Sequence, residues 1–105
     1  LNNNYSSKHM VIGVLRIELY LNGNRSLKGK RQLLKSLIHR TKSRFSNVSI
    51  SEVDSQDLWQ RATIGITMVS NEKSYVNSIL DQVSGFIEST GLAHMVSREL
   101  EIILF

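Results

Sequence analysis

The sequence predicts an α+β domain in the order β-α-β-β-α-β, and three observations predict it. Four stretches, 11–21, 48–54, 62–68 and 92–105, alternate apolar and polar residues with the period of two that a half-buried strand requires. Two longer stretches, one starting at Arg25 and one ending before Gly91, repeat apolar residues at helical spacing. Proline, which would interrupt either kind of element, is absent from the 105 residues, and a hydrophobic fraction of 41% supplies material for one core.

Residues 1–9 are polar, asparagine-rich and aperiodic, and read as a disordered leader or the remnant of a cloning junction; 10–105 read as one domain. Val11, Leu15, Ile17, Leu19 and Leu21 form the buried row of the first strand, with Arg16 and Glu18 on the other side. Asn22-Gly23-Asn24 breaks that strand, and Ser26 is placed as N-cap of the first helix. On that helix Leu27, Leu34, Leu37, Ile38, Thr41 and Phe45 share one side, while Lys28, Arg31, Lys35, His39 and Lys42 share another. Val48 to Asp54 is a polar strand, expected at a sheet edge. The loop 55–60 follows, with Leu58-Trp59 as its apolar anchor, and leads to a strand whose buried row is Ala62, Ile64, Ile66 and Met68. Ser70 or Asn71 is expected to cap the second helix, which carries Tyr75, Val76, Ile79, Leu80, Val83, Phe86 and Ile87 on one arc and stops at Gly91. Leu100, Ile102 and Leu104 mark the last strand. Four strands with mostly one-sided apolar rows and two amphipathic helices imply a four-stranded antiparallel sheet covered on one face, the ferredoxin-like arrangement.

Charge is unevenly placed. The net charge is +4, but residues 25–44 carry +8 with no acidic residue, while 45–105 carry −5. A concentrated basic face attracts polyanions, most often nucleic acid. Arg25, Lys28, Lys30 and Arg31 surround a helix N-terminus, where free amide groups already favour phosphate, and Lys35 and Lys42 extend the contact along the helix. These six are the candidate nucleic-acid-binding residues. Gly29 stands in the same turn, where glycine either allows close backbone approach or is only tolerated.

The other constellations are weaker. Glu52 and Asp54 alternate onto one strand face near Asp57, a pattern compatible with a hard cation or an acid–base pair; such carboxylates are common on polar edge strands, and Arg61 is available to neutralise one. No catalytic residue, metal ligand or cofactor is assigned. The open sheet face carries Ile12, Val14, Arg16, Glu18 and Tyr20 beside Thr63, Gly65, Thr67 and Val69. It lacks the aromatic positions on which RNA-recognition sheets stack bases, and is instead a candidate homodimer contact. There is no phosphate loop, dinucleotide fingerprint or nucleophile elbow. Without cysteine, disulfides, thiolate zinc sites and a cysteine nucleophile are excluded. No apolar run approaches the roughly eighteen residues of a membrane span. A cytoplasmic location is expected, with no membrane partner and no small-molecule substrate.

Three runs carry a family resemblance: Ser26-Leu27-Lys28-Gly29-Lys30-Arg31, the stretch from Glu52 to Ala62 that contains Asp57-Leu58-Trp59-Gln60-Arg61, and Gly65 to Asn71. Together they make the chain similar to the YlxP-like family, small bacterial proteins of unassigned function, over residues 10–105. The resemblance implies a ferredoxin-like fold and, from the translation factors that neighbour such proteins, a ribosome-associated or RNA-associated role. It also implies an acidic residue where Gly29 stands. The expected function is a non-enzymatic RNA-binding or ribosome-associated factor; the alternative is a protein-interaction or homodimerisation module that meets an acidic partner.

Overall fold

A computed structural model describes residues 9–105; the leader assigned to 1–9 falls, but for His9, outside the described residues. The elements are β1 (Val11–Tyr20), α1 (Leu27–Arg44), β2 (Ser49–Asp54), β3 (Arg61–Ser70), α2 (Lys73–Ser89) and β4 (His94–Leu104). They build one antiparallel sheet in the order β2-β3-β1-β4. Both helices cover one face, α1 over β2 and α2 over β1, β3 and β4. This is the ferredoxin-like arrangement, with β2 at an edge as its polar sequence implies.

The core lies between sheet and helices. Leu15, Ile17, Leu19, Ala62, Ile64, Val76, Leu80, Val83 and Ile87 are fully buried there, so the period-two rows and the helical arc of α2 meet as the sequence predicts. Tyr75 is the exception on that arc, at 43% exposed. Gly13 interrupts the apolar row of β1 for a steric reason: a Cβ there would run into Val76 and Leu80 of α2. Its absence lets α2 pack directly on the strand backbone.

The helix ends differ. Ser26 caps α1 as expected, its Oγ accepting the Gly29 N–H at 3.0 Å. The N-cap of α2 is Glu72, neither Ser70 nor Asn71, and its side chain makes no capping bond, because β3 continues through Ser70 before the chain turns. At the other end Gly91 has φ +68, the left-handed conformation that follows a helix C-terminus.

Candidate nucleic-acid interface

The N-terminus of α1 is held by the segment before it. Asn24 donates from Nδ2 to the carbonyls of Ser26 and Trp59, and its Oδ1 packs where a Cβ on residue 29 would stand. Gly29 is therefore a close-approach glycine: any side chain there would displace Asn24. The capping bond and this contact fix the first turn, around which Arg25, Lys28 and Arg31 are exposed. Lys35, His39 and Lys42 continue the exposed stripe along the helix. At about 1.5 Å rise per residue, Lys28 to Lys42 spans roughly 21 Å.

Lys30 must be removed from the candidate set. It is 1% exposed, with its ammonium turned inward under the helix. Its Nζ lies 2.9 Å from Oε2 of Glu52 and donates to the backbone carbonyls of Ser55 and Leu58, the latter at 2.8 Å. Two hydrogen bonds to carbonyls and one carboxylate at ion-pair distance thus surround the ammonium, which compensates a charge that leaves water. The reason was present in the sequence: Lys30, Leu34, Leu37 and Thr41 recur at helical spacing, and all four are buried. Lys30 stands on the leucine face, four residues before Leu34.

The same pair answers the question of the acidic hairpin. Glu52 faces Lys30, while a register break between Glu52 and Asp54 ends their alternation, so the two carboxylates do not converge. Asp54 is exposed, and its Oδ1 accepts the Ser55 N–H at 2.8 Å. The cation that pairs with a carboxylate of the hairpin is Lys30, through Glu52, and not Arg61. Among the described residues no group of three or more His, Asp or Glu side chains is placed to hold a metal ion.

Ion pairing divides the cations further. Among the described residues the ion pairs are Lys30–Glu52 and Arg98–Asp81, so Arg25, Lys28, Arg31, Lys35 and Lys42 have no carboxylate partner. Arg44 is engaged otherwise, its guanidinium 5.4 Å from the ring centroid of Phe86 and 6.0 Å from that of Phe45, above an edge-to-face aromatic pair.

The loop 55–60 is not anchored by Leu58 and Trp59, which are 50% and 54% exposed. It is anchored through its backbone. Three successive carbonyls are engaged: Leu58 by Lys30 Nζ, Trp59 by Asn24 Nδ2, and Gln60 by the Leu21 N–H at 2.8 Å. Ser55 turns the chain with φ +60, a conformation that non-glycine residues adopt only when neighbours impose it. Its carbonyl accepts from Lys30 and from the Leu58 N–H, and its hydroxyl meets that of Thr63 at 3.1 Å. The buried lysine holds the loop, and the loop presents its two large apolar side chains to solvent. Two surface recesses meet at Trp59 and Gln60: one reaches Tyr20 and Arg61, the other Asn22 and Arg25.

The open face of the sheet carries an apolar row at one end. Val69, Ile12 and Ile103 are register partners across β3, β1 and β4, with Val14 beside them on β1. Val69 is 59% exposed, and Val14 and Ile103 are each 39% exposed.

Fold and surface together define a small ferredoxin-like domain with one cationic helix face and one rigidly presented aromatic loop. Residues 12–100 match the family described as protein of unknown function, DUF503, and the chain belongs to that family. It is 40% identical over 79 residues to the Uncharacterized protein YlxP of Bacillus subtilis strain 168, covering 75% of this chain and 85% of that protein. Neither description carries an enzymatic name. Two designed proteins share the fold: the de novo designed protein Foldit4, with a TM-score of 0.55 at 11% identity over 91% of this chain and 98% of that one, and LFR1 1, a de novo design with ferredoxin fold, with a TM-score of 0.52 at 13% identity over 87% and 84%. No helix among the described residues is long and apolar enough to cross a membrane.

Proposed function

We propose that the chain is a non-enzymatic, cytoplasmic RNA-binding or ribosome-associated factor that contacts phosphates through Arg25, Lys28, Arg31, Lys35 and Lys42. The observation that carries this reading is the exposure of those five cations, Arg25 just before α1 and the other four along it, without a carboxylate partner among the described residues. Such an arrangement costs self-repulsion and forgoes the i,i+4 pairing that stabilises a surface helix, and a phosphate chain relieves both. The sole deeply buried cation of the helix is already neutralised by Glu52, so the exposed charge is directed outward.

Co-sedimentation with purified ribosomal subunits across a salt series tests it, with the triple variant Lys28→Glu, Arg31→Glu, Lys35→Glu as control. The parent chain co-sediments at low salt and is released as salt rises, and the variant stays in the supernatant. No association at low salt, with either subunits or ribosomal RNA fragments, would overturn the proposal. Capture of an acidic protein by the same face after nuclease treatment would replace RNA as the partner.

A second reading concerns assembly. The apolar row Val69, Ile12, Ile103 and Val14 leaves the open sheet face suited to a second copy of the chain, an arrangement compatible with phosphate binding because α1 lies on the opposite face.

A further inference from the structure

We infer that Trp59 is a stacking platform for an unpaired nucleobase, on a strand whose phosphates continue onto Arg25 and Lys28. This deepens the RNA-binding proposal and rests on it, because it names the form of nucleic acid that the face would select. Three observations point the same way.

The indole is 54% exposed in a loop whose backbone is nonetheless fastened at the carbonyls of Ser55, Leu58, Trp59 and Gln60. A large aromatic side chain held out on a fixed backbone loses little freedom on binding, so its contact area is retained as affinity. The recess it shares with Arg25 is lined by Asn22, Gly23, Asn24, Arg25, Trp59 and Gln60, with no acidic side chain among them. Aromatic face, guanidinium and side-chain amides are the groups that stack on a base, meet its phosphate and bond its edges. Finally, the recess opens beside the start of the cationic stripe, because Asn24 ties Trp59 to the first turn of α1. A base stacked on Trp59 therefore places its backbone beside the residues already proposed to bind phosphate. A duplex offers no such base, since its faces are closed by stacking and the deep groove of A-form RNA excludes side chains. The platform selects unpaired nucleotides, and the sheet, which lacks aromatic positions for stacking, is not required.

Trp59 is the one tryptophan in the chain, so its emission reports on the site directly. The test titrates the full chain with a single-stranded RNA dodecamer and with an RNA duplex of the same length, following emission and, independently, anisotropy of labelled RNA. The single strand is expected to quench the indole and to bind more tightly than the duplex. Trp59→Ala should weaken single-strand binding by roughly 5- to 150-fold at fixed salt, and Trp59→Phe should restore most of it. The slope of log affinity against log salt should be the same in both variants as in the parent, because no phosphate contact is removed. Since the side chain is half exposed, both variants should keep the parent's urea midpoint.

If RNA binds with a steep salt slope but without quenching, and Trp59→Ala binds as well as the parent, the stacking inference fails while phosphate binding stands. If neither RNA binds, the RNA-binding proposal fails, and this inference with it. If Trp59→Ala leaves RNA affinity unchanged but abolishes capture of a protein from nuclease-treated extract, the loop is a protein anchor and the inference is overturned.

Discussion

Replacing Lys30 by methionine isolates the interaction that joins α1 to the loop. The stem of the side chain is conserved in volume, but the ammonium is lost, leaving the Glu52 carboxylate facing an apolar group and the Leu58 carbonyl without its donor. Removing one member of a fully buried ion pair costs about 3–5 kcal/mol. Here the Glu52 side chain remains 22% exposed, so it retains part of its hydration, and the Ser55 carbonyl still has the Leu58 N–H. We therefore expect a loss of about 2–4 kcal/mol, a large part of the roughly 5–15 kcal/mol that holds such a domain. With a urea m-value of about 1.5 kcal/mol/M, a loss of about 3 kcal/mol lowers the unfolding midpoint by about 2 M. Adding Glu52→Leu removes the stranded carboxylate and should recover about half of the loss, while the carbonyl term remains. Tryptophan emission supplies a second readout, since the loop that carries Trp59 loses its fastening. A midpoint for Lys30→Met within about 0.3 M of the parent, or a double variant no more stable than the single one, would refute the assignment of Lys30 as the buried tie.

The remaining predictions concern packing, charge and assembly. Gly13→Val should cost about 1–3 kcal/mol in urea unfolding, because its branched side chain must enter the space of Val76 and Leu80. For single-stranded RNA, five phosphate contacts give a log–log salt slope of about −3.5, which lowers affinity about 100-fold between 50 and 200 mM salt. The triple charge reversal should flatten that slope by about 2 or more, measured by filter binding. In sedimentation equilibrium, dimerisation through the open face appears as a mass of two chains that Val69→Asp returns to one; a single-chain mass for the parent at micromolar concentration excludes that face as the contact.

The fold was legible because its signals are local. The odd positions of β1 and the even positions of β3 carry the apolar rows at period two, and α2 carries its arc at period 3.6, so the faces that meet are written in each segment separately. The Asn-Gly-Asn break, the Ser26 cap and Gly91 are equally local, since each acts within a few residues. The N-cap of α2 was misplaced by one or two residues because nothing in the sequence says where a strand gives way to a turn when several polar residues follow. In the candidate interface, five of the six cations named from the sequence stand exposed, and Lys30 does not. Its place on the leucine face is visible from the spacing to Leu34 and Leu37, but a charged side chain by itself points to the surface. A lysine on an apolar stripe commonly extends its stem to bring the ammonium to water, and only a partner within reach changes that outcome.

By itself the sequence determined the order of the elements, the single covered face of the sheet, and the concentration of positive charge on the first helix, since periodicity and composition act along the chain. The tertiary structure decided which of those charges face outward and how the loop after β2 is held. Glu52 lies twenty-two positions from Lys30, and the carbonyls that complete its shell lie further still; they meet only because α1 crosses over β2. That crossing converts one cation of the basic helix into the fastening of a loop, and leaves Trp59 exposed on a backbone that the helix itself holds in place.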